Sequence, residues 1–171
     1  PPEGMDRSAY LRAKFGPEAE GYNAPLIEAA AASGVTMDLP RVTRMPNTLD
    51  AHRLIYWAGI EGRQSPLMAA LMRAFWREGR DIGRAEVLAE IGAEVGMDGA
   101  LIARLLASDA DRALITERDA HARERGIRAV PTYILDNHYV ISGAQPTEFW
   151  TGVIDEIAER SADGETDGGD A

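Results

Sequence analysis

Apolar residues recur at helical spacing along most of the chain. Asp6 stands where a cap belongs, ahead of a helix expected over residues 7–15 that Gly16-Pro17 brings to an end. A second helix is expected over 17–32, with Pro25 demanding either a kink or a later start. Val35, Met37 and Leu39 alternate with polar residues and predict a short extended segment that Pro40 stops. Asn47 or Thr48 caps a helix over 49–61, whose apolar face carries Leu54, Ile55 and Ala58 and which Gly62 closes. Ser65-Pro66 opens the next, over 65–78, where Leu67, Leu71 and Phe75 fall at i, i+4 and i+8. Helices over 86–95, 99–107 and 110–125 follow, with Asp98 and Ser108 or Asp109 as caps. A run of helices with short connections implies a compact all-α unit.

The period then changes. Val130-Pro131-Thr132-Tyr133-Ile134-Leu135 and Tyr139-Val140-Ile141 are β-branched and aromatic, and Asp136-Asn137-His138 between them tolerates a tight turn. This is a β-hairpin, followed by a helix opened by Gln145-Pro146-Thr147 and running to 160. The first strand is almost wholly apolar, the pattern of a strand buried on both faces inside a sheet. Only one neighbour is available downstream, so the strand for the other edge is expected to lie outside this sequence, leaving an open edge. Pro131 donates nothing to a ladder, and an X-Pro bond is where a cis peptide costs little.

Composition narrows the function. Among 171 residues, 18 Lys and Arg against 28 Asp and Glu give a net charge of −10. A phosphate backbone is held by clustered Lys and Arg, so nucleic acid is not expected as a partner. No run is long and apolar enough for a membrane span, and no membrane partner is expected. The chain has 0 cysteines, hence no disulfide and no thiol to act as nucleophile or metal ligand. His52, His121 and His138 are scattered, and no metal site is expected. Asn47, Thr48, Asp50 and His52 read as a cap, a first-turn acid and a hydrogen-bonded histidine. Glu78, Arg80 and Asp81 read as a salt-bridged connection, and Met68, Met72, Phe75 and Trp76 as core. Met45 and Trp57, close to loops, are candidates for lining a substrate groove.

Longer stretches carry a resemblance. Gly126-Ile127-Arg128-Ala129-Val130-Pro131-Thr132-Tyr133, followed by Ser142-Gly143-Ala144-Gln145-Pro146, resembles the C-terminal part of the DsbA family of thioredoxin-like proteins, in its FrnE-like branch. Pro46-Asn47-Thr48-Leu49-Asp50-Ala51-His52-Arg53-Leu54 and Phe75-Trp76-Arg77-Glu78-Gly79-Arg80-Asp81-Ile82-Gly83 resemble the same branch, as does Pro1-Pro2-Glu3-Gly4 with Tyr10-Leu11 and Lys14-Phe15-Gly16. The resemblance covers nearly everything but the acidic end. It implies an α/β thioredoxin-like fold with a large all-helical insertion, in which a strand, a CxxC-bearing helix and a second strand come first. This chain would then show the helical domain plus the C-terminal β-hairpin and helix.

On that basis residues 1–125 are expected to be a mainly helical insertion domain, with 1–46 partly irregular. Residues 126–160 would be the C-terminal part of the thioredoxin-like domain, and 161–171 a disordered acidic tail. The resemblance implies thiol–disulfide exchange on a protein or small-molecule substrate, no cofactor and cytoplasmic residence, with the redox CxxC upstream of Pro1. It implies no catalytic residue within this chain. It implies a cis bond before Pro131 and a substrate-binding role for Val130, Pro131 and Thr132. Two rival readings stand beside it: an enzyme like the kappa-class glutathione transferases and 2-hydroxychromene-2-carboxylate isomerases, and a cysteine-free module that binds a partner strand or forms a homodimer.

Overall fold

The computed structural model describes residues 3–17, 23–135 and 139–166, with side chains to residue 160. The chain divides between Ala120 and His121 into two compact units.

In the first unit, a two-residue strand β1 (Met5–Asp6) pairs antiparallel with β2 (Arg44–Met45), in the register Met5 to Met45 and Asp6 to Arg44. Helix α1 (Arg7–Phe15) starts at β1, where the Asp6 side chain accepts a 2.8 Å bond from the Ala9 N–H. Helix α2 (Ala24–Ala32) takes the later start, with Pro25 in its first turn. The expected extended segment at Val35–Leu39 is not a strand. Pro40 has no N–H to give a ladder, and Leu39–Arg41 instead turns as a 3-10 helix.

Four helices build the core: α3 (Leu49–Ile60), α4 (Gln64–Trp76), α5 (Ala85–Glu94) and α6 (Gly99–Leu106). Leu54, Leu67, Leu88 and Ile91 are fully buried between them, each worth about 1.5–3 kcal/mol in removed apolar surface. Phe75 on α4 is also buried, whereas Met72 is half exposed. Trp57 is buried in the core rather than lining a groove, because its Nε1–H is satisfied there by the Asp111 carboxylate at 2.7 Å.

Arg53 is buried with no exposed surface. Its guanidinium donates to the carbonyls of Leu105, Ser108 and Ala110 at 2.7–2.8 Å and to Asp50 at 2.8 Å. Those carbonyls belong to the end of α6 and the turn after it, where a helix runs out of its own donors. One arginine thus caps α6 from inside the fold. Asp111, with φ 56°, breaks the chain before α7 (Arg112–Glu124), which is why that helix starts two residues later than its apolar pattern suggests.

The connection between α4 and α5 is salt-bridged. Arg80 reaches Glu90 and Glu94 at 2.8 Å, and Glu78 pairs with Arg73 at 3.4 Å. Gly79 between them has φ 68°, and a Cβ there would lie 2.4 Å from the Arg41 carbonyl oxygen.

The second unit holds β3 (Thr132–Leu135) paired antiparallel with β4 (Tyr139–Ser142), followed by α8 (Thr147–Thr166). The turn at 136–138 lies outside the described residues. Helix α8 extends past residue 160, since no proline removes a donor from its ladder before Thr166; the rest of the acidic end lies outside the described residues. Tyr133 meets Trp150 edge-to-face at 4.6 Å, tying the hairpin to α8. The two-sided burial expected of β3 is not formed: its side chains are half-buried or exposed, because only β4 flanks it among the described residues.

Candidate functional site

The register fixes which way the β3 backbone faces. The Gly143 N–H donates to the Pro131 carbonyl at 2.8 Å, which makes Pro131 and Gly143 a hydrogen-bonded pair. With Thr132 opposite Ser142 and Tyr133 opposite Ile141, alternation gives Tyr133 and Leu135 to the β4 ladder. The N–H and C=O of Thr132 and Ile134 therefore point to the other edge, where no strand lies among the described residues.

Val130, Pro131 and Thr132 sit together at the head of that edge. Val130 is 90% exposed, and its peptide groups take no hydrogen bond among the described residues. The Val130-Pro131 peptide bond is cis. Thr132 is oriented by its own hydroxyl, which donates to the Ala129 carbonyl at 2.7 Å and holds the turn into β3. The segment offers backbone donors and acceptors beside an apolar side chain, with no carboxylate, imidazole or thiol among Val130–Leu135. Such an edge has the form that pairs with an extended chain, and its only protic side chains are the Thr132 hydroxyl, already bonded to the Ala129 carbonyl, and the Tyr133 phenol.

Sequence reading placed these three residues at a binding edge but missed two concave surfaces. One is an apolar groove of about 270 Å³ in the second unit, between β4 and α8, lined chiefly by Tyr139, Ile141, Phe149, Val153 and Ile157. The apolar face of the last helix was its available signal. The other is a polar cavity of about 360 Å³ in the first unit, which gathers Pro46-Asn47 and Asp81–Arg84, stretches that read separately as caps and connections. His52 and His121 are both exposed, and His138 lies outside the described residues. Among the described residues, no three His, Asp or Glu side chains gather as a metal site would need, and no helix is long and apolar enough to cross a membrane.

A family model described as a DSBA-like thioredoxin domain matches residues 3–155. The chain belongs to this family. The crystal structure of a probable DsbA oxidoreductase from Streptomyces coelicolor is similar to it, with a TM-score of 0.80 and 28% sequence identity over 90% of this chain and 68% of that one. No curated protein sequence matches the chain. Membership of the DSBA-like family, which is of thiol–disulfide oxidoreductase type, accounts for a mostly helical chain that ends in a hairpin and a helix.

Proposed function

We propose that this chain is the helical and C-terminal portion of a FrnE-like thiol–disulfide oxidoreductase, and that Val130, Pro131 and Thr132 hold the substrate by backbone pairing. The observation that carries the reading is the unpartnered edge: Val130 is exposed and its peptide groups are free of partners among the described residues, next to the outward-facing N–H and C=O of Thr132. An extended peptide laid along it would gain main-chain hydrogen bonds without any demand on its side chains, which suits an enzyme acting on many disulfides.

The chain contains no cysteine, so the exchanging thiols come from polypeptide beyond these 171 residues. There a thiolate of lowered pKa attacks one sulfur of the substrate disulfide, the other sulfur leaves as thiolate, and a second cysteine resolves the mixed disulfide. The substrate is a protein or a small-molecule disulfide. Dithiol on the enzyme becomes disulfide as the substrate is reduced, and the direction reverses with the redox poise.

The test is disulfide reduction by the natural full-length polypeptide, with a count of its titratable thiols. Two thiols and catalysed reduction of a disulfide-bonded protein are expected. Replacing Val130 by Pro removes one backbone donor at the edge, and kcat/KM for a peptide disulfide should fall roughly threefold to tenfold. A full-length protein that conjugates glutathione without reducing disulfides would overturn the assignment, and V130P turnover equal to wild type would overturn the binding role of the edge.

A further inference from the structure

The polar cavity of the first unit has walls from three places far apart in sequence: Glu3, the stretch Arg44–Asn47, and the turn Asp81–Arg84. Two glycines let them close. A Cβ on Gly4 would stand 2.6 Å from the Met45 carbonyl oxygen, and one on Gly83 would stand 2.9 Å from the Pro46 Cβ. Arg44 staples the walls, donating to the Glu3 carbonyl and lying 3.5 Å from the Asp81 carboxylate. Asp81 in turn accepts the Gly83 N–H at 3.0 Å. At about 360 Å³ the cavity lies within the usual range of small-ligand sites, about 300–1,000 Å³.

Its polar groups are not all used by the fold. Arg44 is engaged by the Glu3 carbonyl and the nearby Asp81 carboxylate, and Asp81 by Arg44 and the Gly83 N–H. The Asn47 Oδ1 is taken by the Leu49 N–H at 3.0 Å, but its side-chain NH2 has no partner among the described residues. Nor, among them, does the Glu3 carboxylate. Among the described residues Arg84 pairs with Glu86, at 3.4 Å, and both side chains are about two-thirds exposed or more, a pairing of the kind that contributes little. What is left to a ligand is therefore one carboxylate, one readily released guanidinium and one amide donor.

That inventory selects a charge pattern. The lining carries two arginines and two acids, so a simple anion brought to the guanidiniums would sit beside the carboxylates, and a simple cation would meet the reverse. A dipolar ligand uses both signs. The walls offer little apolar surface beyond Pro46, so hydrophobic burial does not define the occupant. We propose that this cavity binds a small zwitterion of the amino-acid or short-peptide class, its carboxylate on Arg84 and the Asn47 amide and its ammonium on Glu3.

Glycylglycine titrated into the 15N-labelled natural full-length polypeptide is the direct test, read from the amides of Gly83 and Leu49 and the Asn47 side-chain NH2. Saturable shifts at these groups are expected. Each blocked analogue, N-acetyl-glycylglycine or glycylglycine amide, should bind about tenfold more weakly or worse, because each loses one charge-assisted contact. Glu3→Gln and Arg84→Gln alter exposed side chains and should each weaken the parent dipeptide by a similar factor. Absence of saturable shifts with glycylglycine, equal affinity for either blocked analogue, or wild-type affinity in either variant would each overturn the proposal.

Discussion

Replacing Arg53 by Met keeps most of the buried side-chain volume and removes the whole guanidinium. The structure gives it three carbonyl acceptors at 2.7–2.8 Å, a fourth contact to the Leu106 carbonyl at 3.5 Å, and Asp50 at 2.8 Å. Two effects oppose one another. Burying a charged group is costly, and exchanging a buried ionic group for an apolar one is sometimes neutral or even stabilising. Here, however, the acceptors stay behind: the Ser108 and Ala110 carbonyls lose the guanidinium while the Leu105 carbonyl keeps the Ser108 N–H and hydroxyl, and unsatisfied groups cost about 1–3 kcal/mol apiece where water cannot enter. Asp50 retains Arg112 at 3.3 Å, so its loss is partial. The carbonyls should decide the sign, with a net destabilisation of roughly 3–5 kcal/mol, the range for breaking a buried pair from one side. Urea unfolding followed by far-UV circular dichroism and tryptophan fluorescence should show a midpoint lower by about 2 M, at a slope of about 2 kcal/mol/M. Arg53→Lys, which carries donors on one nitrogen only, should fall between wild type and R53M. A loss below about 1 kcal/mol in R53M would show that water or local relaxation replaces the guanidinium, and the internal cap would not be what holds α6.

Gly79→Ala should cost more than Gly92→Ala. The first places a Cβ at φ 68° and 2.4 Å from a backbone oxygen of Arg41, together about 2–4 kcal/mol, whereas the second keeps helical backbone, gains helix propensity and displaces the terminal methyl of buried Ile102 rather than main chain. Thermal unfolding of the two variants compares them directly, and G79A as stable as G92A would contradict the packing described. Arg80→Gln should cost about 1 kcal/mol or less at low ionic strength, and the deficit should shrink in 1 M salt, since Glu90 and Glu94 are both well exposed. The Arg80 pKa is raised, first by its hydrogen bond to Glu94; its contribution is therefore complete below the unfolded-state value and is lost only as the pH rises above it. Stability curves of wild type and R80Q between pH 7 and pH 9 should accordingly run parallel, and convergence in that window would contradict the ion-pair assignment.

What the sequence made legible is local. Asp6 and Asp98 cap the helices they were expected to cap, because an N-cap is a bond between a side chain and an amide three residues on. The hairpin is legible for the same reason, its strands and turn being continuous in the chain. The ribbon Met5–Asp6 with Arg44–Met45 was not, since two-residue strands have no periodicity and their pairing spans forty residues. Arg53 reads as a surface charge until its acceptors, 52 to 57 residues downstream, are folded onto it. Trp57 looked like a groove residue by its nearness to a loop, but Asp111, which holds its indole N–H, comes from the far side of α6. The polar cavity is the same case at a larger scale, since Glu3, Asn47 and Arg84 have nothing in common until the fold joins them.

The residues that disagree with their own pattern carry a different kind of information. In the core of the first unit, apolarity and burial agree: Leu54, Leu67, Leu88 and Ile91 have no exposed surface, while Leu26, Ile60 and Met72 outside it stay exposed. In the second they do not. Val130-Pro131-Thr132-Tyr133-Ile134-Leu135 has the composition of an interior strand, yet none of its described side chains is buried, and Val140 beside it on β4 is 66% exposed. A chain rarely keeps so much β-branched and aromatic surface on a short hairpin for the hairpin's own sake, because a two-stranded ribbon is marginal alone. Separately, the Thr132 and Ile134 peptide groups face outward at the edge of β3 away from β4. Exposed apolar side chains on the faces of the hairpin and open backbone groups at its β3 edge are thus two independent respects in which the described residues of the second unit are left uncovered.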